Sequence, residues 1–160
     1  MNQEERARYL VETYADTILR LSYSYLKNTA DAQDICQTVF LKLLTEPQEF
    51  ASVAHERAWI LRVAANQCKD LLKSHWRKRN CTLESCQEIA APPEPDGTVM
   101  DAVNELPEKY RVAVELYYYE GYQAEEIAEI LNISANAVYT RLARARKQLK
   151  WMLKGEAYGN

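Results

Sequence analysis

Long apolar runs are missing from this 160-residue sequence: its densest stretches are broken every few residues by Arg, Lys, Glu or Asp. No segment is therefore expected to span a bilayer. The N-terminus, Met1-Asn2-Gln3-Glu4-Glu5-Arg6, also lacks the apolar core of a signal peptide, so a cytoplasmic protein without direct membrane insertion is expected. Glycine and proline are scarce, with four and five residues, and strand-type alternation is absent. That excludes collagen-like and low-complexity chains and favours helix. Cys36, Cys68, Cys81 and Cys86 contain no CxxC pair and meet only two histidines, His55 and His75, so neither a zinc site nor a disulfide framework is expected. Cys36 and Cys68 read as small core residues, and Cys81 and Cys86 as linker thiols that are at most redox-sensitive. No nucleophile and base, carboxylate pair, metal cluster or phosphate loop can be named. Neither catalysis nor a cofactor is expected, and the two histidines are read as solvated or close to DNA.

The net charge of −3 conceals a segregated pattern. Lys69, Lys73, Arg77, Lys78 and Arg79 form one basic cluster. Arg141, Arg144, Arg146, Lys147, Lys150 and Lys154 form another, with no acid between Glu129 and Glu156. Two such surfaces on an acidic chain suggest two sites of phosphate contact.

Between Cys81 and Glu108 there is no Lys or Arg, while acids gather around Ala91-Pro92-Pro93-Glu94-Pro95-Asp96-Gly97. Prolines and glycine oppose helix there, and few large apolar side chains are available to bury. The pattern predicts an all-α protein of two small helical domains, residues 1–79 and 101–160, joined by a flexible linker over residues 80–100.

In the first domain, helices are predicted over Glu4–Leu26, Ala30–Leu44 and Glu56–Arg77. Thr29 is the expected cap of the second helix, whose inward stripe is Ala32, Ile35, Val39 and Leu43. Asp34, Gln37, Leu41 and Leu44 lie on its other side, a mixed surface suited either to a partner or to a second buried face. The third helix carries Ile60, Val63, Ala64, Gln67 and Leu71 on one side, and Arg62, Asn66, Lys69 and Lys73 on the other. This second stripe continues into Trp76 and Arg77, cations beside an aromatic that can stack on a nucleotide. Residues 46–55 before it read as a loop able to meet an unpaired base.

In the second domain, Pro107 suits the first turn of a helix running to about Glu120, and Gly121 its left-handed end. A short helix over Ala124–Leu131, a turn at Asn132-Ile133-Ser134 and a longer helix over Ala135–Leu153 make a helix-turn-helix, with Ser134 as cap. Val138, Leu142, Ala145 and Leu149 point inward. Asn136, Ala137, Thr140, Arg144 and Lys147 point outward, with Arg141 and Arg144 able to reach bases or phosphates in a major groove.

These residues resemble the sigma-70 superfamily. Asp31-Ala32-Gln33-Asp34-Ile35-Cys36-Gln37-Thr38-Val39-Phe40 is similar to its polymerase-binding helix, although Gln33 stands where glutamate is usual. Ala58-Trp59-Ile60-Leu61-Arg62-Val63-Ala64-Ala65-Asn66, followed by Asp70, resembles its promoter-melting helix. Glu120-Gly121, Glu125-Glu126-Ile127-Ala128-Glu129-Ile130-Leu131, Val138, Arg141-Leu142 and Arg144-Ala145-Arg146 look like its C-terminal helix-turn-helix. Gln123, Ala137 and Tyr139 depart from the family pattern. The short linker implies the extracytoplasmic-function (ECF) subgroup.

The resemblance implies a non-enzymatic initiation factor that grips RNA polymerase core through Asp34, Gln37, Leu41 and Leu44. It implies opening of the −10 region of promoter DNA by Arg62, Asn66, Lys69, Lys73, Trp76 and Arg77. It implies reading of the −35 region by Ser134, Asn136, Ala137, Thr140, Arg141, Arg144 and Lys147, and control by an anti-sigma factor. A stand-alone helix-turn-helix regulator, with a ligand-sensing or dimerising N-terminal domain, is the alternative that the second half alone would allow.

Overall fold

The computed structural model describes residues 2–46, 48–81 and 99–157, the side chains of 78–81 and 155–157 excepted. The predicted linker thus lies almost wholly outside the described residues, as do Cys86 and the side chains of Lys78, Arg79 and Cys81. Among the described residues the structure is helical: α1 (Gln3–Leu26), α2 (Thr29–Thr45), α3 (Val53–Cys81), α4 (Val99–Glu105), α5 (Glu108–Val114), α6 (Ala124–Leu131) and α7 (Ala135–Ala157).

Each boundary has a local cause. Asn2 accepts from Glu5 N at 2.8 Å while Glu5 accepts from Asn2 N at 3.3 Å, a reciprocal cap for α1. Lys27 ends α1 in the left-handed region, at φ 53°. The cap of α2 is Asn28 rather than the expected Thr29, because Asn28 Oδ1 accepts from Asp31 N at 2.9 Å and Thr29 is already the first helical residue. Helix α3 begins three residues before the predicted Glu56, since Ser52 Oγ accepts from His55 N at 3.1 Å, and it continues to Cys81.

The predicted single helix from Pro107 to Glu120 is interrupted. Pro107 is the cap residue of α5, and beyond Val114 the chain widens into a π-helical turn over Glu115–Tyr119, where Glu120 N donates to Glu115 O at 3.0 Å. Gly121 then takes φ 77° with no atom within 4 Å of the position of a Cβ. Backbone conformation alone requires glycine here. Gly121→Ala should therefore lower stability to urea by about 1 kcal/mol with no change in the core.

Helices α1 and α3 pack with α2 around Leu10, Ile18, Leu21, Val39, Leu43, Ile60 and Leu61. The hydroxyls of Tyr9 and Tyr14 both donate to Glu56 Oε1 at 2.7 Å, tying α1 to the start of α3. Cys36 and Cys68 are buried free thiols, as expected of core residues. The apolar cluster does not end with the N-terminal helices. Val112, Ala113, Leu116, Ile127, Ile130, Leu131, Val138 and Leu142 belong to the same contiguous cluster, so the halves share an apolar interior. A smaller cluster of Val103, Leu106, Tyr110, Val114 and Ala145 lies between α4, α5 and α7.

Candidate nucleic-acid interface

The short α6, the tight turn and the longer α7 form the predicted helix-turn-helix. Asn132 adopts φ 57°, and Ile133 N donates to Ala128 O at 3.0 Å, closing the end of α6. Ser134 Oγ accepts from Ala137 N at 3.0 Å and caps α7. Gln123, at the usual place of a short hydroxyl, donates its backbone N–H to Glu126 Oε1 at 3.1 Å, so α6 is capped from the glutamate side.

Val138, Leu142 and Ala145 are buried beneath α7, as the stripe predicts. Ser134, Asn136, Thr140, Arg144 and Lys147 are exposed, whereas Ala137 and Arg141 are half-buried. Thr140 Oγ1 donates to Asn136 O at 2.9 Å, which leaves its methyl group and a lone pair facing out. Tyr139 leans back on α6, its hydroxyl 3.5 Å from Glu125 Oε1. At the far end of the helix Trp151 is 79% exposed, beside Arg144, Lys147, Lys150 and Lys154.

The α3 stripe is less open than its pattern predicts. Asn66, Lys73, Trp76 and Arg77 are exposed, while Arg62 and Lys69 are half-buried. Arg62 Nε donates to Glu129 O at 2.8 Å, at the C-terminal end of α6. That carbonyl lies in the last turn, where no intrahelical donor remains, and a cation is favoured at the negative end of the helix dipole. Lys69, Lys73, Trp76 and Arg77 line a cleft of about 470 Å³ closed on its other side by Glu108 of α5.

Burial, then the charges of Arg141 and Lys73, push the Lys69 ammonium below its usual range; burial pushes the Glu108 carboxyl up against the pull of Arg111, Lys69 and Arg141. Of the second basic cluster, Arg141 thus acts electrostatically on Lys69 and Glu108.

On α2, Asp34, Gln37 and Leu41 are exposed, Leu41 by 64%. Leu44 instead packs against the core, so the expected mixed surface narrows to three residues. In the loop preceding α3, Phe50 sits edge-on to His55 at 5.4 Å between ring centroids and tilted against Trp59 at 5.6 Å. His55 Nδ1 accepts from Ala51 N at 3.2 Å, which assigns its proton to Nε2 in the neutral ring.

Residues with no place in the sequence reading join the halves. Arg111 is only 7% exposed, and its guanidinium donates to Ser24 O, to Leu106 O at 2.8 Å and to Tyr25 O at 3.3 Å. These are unpaired carbonyls at the ends of α1 and α4. Arg57 pairs with Glu126 and lies 4.8 Å from the centroid of the Tyr122 ring. Arg20 grips Glu120 with two nitrogens, the second at 3.2 Å, and lies 3.9 Å from Glu115. One signal was available for Arg111: a lone cation in the apolar run Tyr110-Arg111-Val112-Ala113-Val114 must find partners inside.

Comparison with known proteins agrees with these features. The family model for Sigma-70 region 2 matches residues 10–78, and that for Sigma-70, region 4, matches residues 97–149. The chain is 31% identical over 140 residues to the RNA polymerase sigma factor SigV of Bacillus subtilis, spanning 86% of this chain and 84% of that protein. It is 30% identical over 152 residues to the ECF RNA polymerase sigma factor SigE of Mycolicibacterium smegmatis, spanning 88% of this chain but 59% of that longer protein. Among solved structures, the sigma factor RpoE in complex with the anti-sigma factor NepR from Bartonella quintana superposes with a TM-score of 0.73, covering 92% of this chain and 96% of that one at 20% identity. That likeness concerns the fold.

Proposed function

The chain belongs to the sigma-70 family as an ECF RNA polymerase sigma factor acting in transcription initiation, and from that premise we propose how its residues divide the work. The region 2 match sets aside the stand-alone regulator, which leaves the first half unexplained. Residues 1–79 bind core polymerase and act on the −10 element, residues 101–160 read the −35 element, and residues 80–100 link them. Sigma factors are in general not catalysts. Here the polymerase supplies the chemistry, in the cytoplasm, and no helix among the described residues is long and apolar enough to cross a membrane.

Exposed Asp34, Gln37 and Leu41 are the polymerase contact, an apolar anchor beside two polar groups. Leu44 supports them from the core side. Arg62, Asn66, Lys69, Lys73, Trp76 and Arg77 track the melted strand, the cations on phosphates and the indole on a base. Asn136, Thr140, Arg144 and Lys147 face the −35 duplex, Arg144 being suited to a guanine edge, with Ser134, Ala137 and Arg141 at the border of that contact. An anti-sigma factor is the expected regulatory partner, as the sigma factor RpoE of Bartonella quintana forms a complex with the anti-sigma factor NepR.

The observation that carries this reading is the presence of two cationic surfaces of different design on one chain: a long helix with an exposed tryptophan, and a capped recognition helix with short outward side chains. Transcription with purified core polymerase tests it. Asp34→Ala with Gln37→Ala should weaken core binding about tenfold at unchanged melting temperature, an energy of about 1.4 kcal/mol. Arg144→Ala should weaken promoter binding by a similar factor and reduce its salt slope by about one. Unchanged core affinity in the first variant would remove the polymerase assignment.

A further inference from the structure

We propose that the far end of α7 makes a second, sequence-independent contact with the promoter duplex: Trp151 lays its ring on a deoxyribose of the strand bordering the −35 groove, with Lys147 and Lys154 on the phosphates beside it. This rests on the reading of α7 as the −35 recognition helix, and adds a contact outside the bases that helix reads.

Eleven residues separate Trp151 from Thr140, which at 100° per residue is about 20° past three full turns. The indole therefore shares the azimuth of Thr140 and Arg144, and Lys147 and Lys154 fall on the same arc. All of these side chains are exposed, Trp151 by 79%. Leu149 and Met152 pack instead against the cluster of Val103, Leu106, Tyr110, Val114 and Ala145. The last turns of α7 are thus held from the other side, and the tryptophan is not needed to anchor them.

Charge is divided along the helix. Residues 135–142 carry the short outward side chains of Asn136, Ala137 and Thr140 and a single cation, the half-buried Arg141, while Tyr139 leans back on Glu125. Exposed cations gather further on as Arg144, Arg146, Lys147, Lys150 and Lys154, of which Arg146 is turned aside to donate to the Tyr118 hydroxyl at 2.9 Å. Close approach to base edges belongs to the N-terminal end, and neutralisation of phosphate to the C-terminal end. About 16.5 Å of rise separates Thr140 from Trp151, more than the major groove's width of about 12 Å. A straight helix entering by its N-terminal end therefore carries Trp151 out to the groove wall, where sugars and phosphates stand. A deoxyribose offers an apolar face between two anions, and an indole flanked by ammonium groups is its complement. The region 4 match ends at residue 149, so Trp151 and Lys154 lie beyond the part of the helix that the family model describes.

Hydroxyl-radical footprinting of the holoenzyme tests the contact, because the radical attacks deoxyribose directly. The probe is a duplex promoter fragment whose start site has been mapped with the wild-type chain and core polymerase. The wild type should protect a short run of sugars flanking the −35 element. Trp151→Ala should lose that protection, keep that of the −35 element itself, and bind the promoter about fivefold more weakly at unchanged helicity, an energy of about 1 kcal/mol. Trp151→Phe, which keeps an apolar ring, should retain most of both. Lys154→Gln should lower the salt slope of promoter binding by about one, and serves if Trp151→Ala loses helicity. A footprint and affinity of Trp151→Ala that match the wild type overturn the contact. So does a loss confined to assembly with core polymerase, which would assign the indole to a protein partner. Failure of the −35 reading looks different: Arg144→Ala would then leave the protection of the −35 element intact.

Discussion

Arg111→Met is expected to lower the stability of the chain to urea by about 3 kcal/mol, although the methionine nearly fills the space the guanidinium leaves. Size is not the issue. The guanidinium satisfies carbonyls of Ser24, Tyr25 and Leu106 that have no donor in their own helices, and the site is 7% exposed. Methionine brings no donor, and each buried carbonyl left without one costs about 1–3 kcal/mol, less whatever hydration a slight parting of the helices permits. The cost of removing charge from water works the other way. Burial depresses the Arg111 pKa, so its removal recovers some desolvation. Three donations to carbonyls outweigh that recovery. Arg111→Lys separates the two contributions: it restores the charge but not the planar fork, and should recover less than half of the loss. Stability of Arg111→Met within about 0.5 kcal/mol of wild type would show that these carbonyls find other donors.

Glu115 should make the junction sensitive to pH near neutrality. Its carboxyl is pushed up to about 7, first by burial and then by the charge of Glu120, with Arg20 pulling the other way. Its surroundings on α1 are Arg20 and, beyond it, Asp16, and the chain returns past it through Glu120 and Tyr122. A folded-state pKa above that of the unfolded chain means that the folded form holds the proton more tightly. The resulting stability is fully present below about pH 4.5 and is lost as pH rises through about 7. At 1.36 kcal/mol per unit the full effect is at most about 3.4 kcal/mol. Glu115→Gln should flatten stability between pH 5 and 7.5 and raise it at pH 8. Urea midpoints measured across that range check the slope, and an unchanged slope in the variant would assign it elsewhere.

The sequence carried the helices whose apolar spacing and caps are local. Asn132, Ser134 and Gly121 announced the helix-turn-helix because each turn needs a particular backbone or hydroxyl, and those needs do not depend on the rest of the chain. The Asn28 cap was misplaced by one residue because Asn28 and Thr29 are both competent caps and only the backbone decides between them. The π-helical turn had no signal in the periodicity, since Glu115–Tyr119 continues a helical pattern while its hydrogen bonds skip a residue. Among site residues, Asn136, Thr140, Arg144 and Lys147 lie outward as their positions on α7 predict. Arg62 and Lys69 have their solvent exposure set by α5 and α6, which approach from far along the chain, so periodicity within α3 could not reveal their partners. Leu44 was ambiguous for the same reason.

The length of α3 has a mechanical consequence. Trp59, braced by Phe50 at its start, and Trp76, exposed near its end, are carried on one uninterrupted helix from Val53 to Cys81. Seventeen residues separate them, about 26 Å at 1.5 Å per residue. The helix is therefore a ruler that fixes both spacing and azimuth between the loop at one end and the cationic stripe at the other. Inserting a single alanine near Gln67 would add only about 1.5 Å but turn everything beyond it by about 100°, carrying Lys73 and Arg77 away from the face they share with Arg62. Phase along this rod, more than reach, sets what its two ends can hold at once.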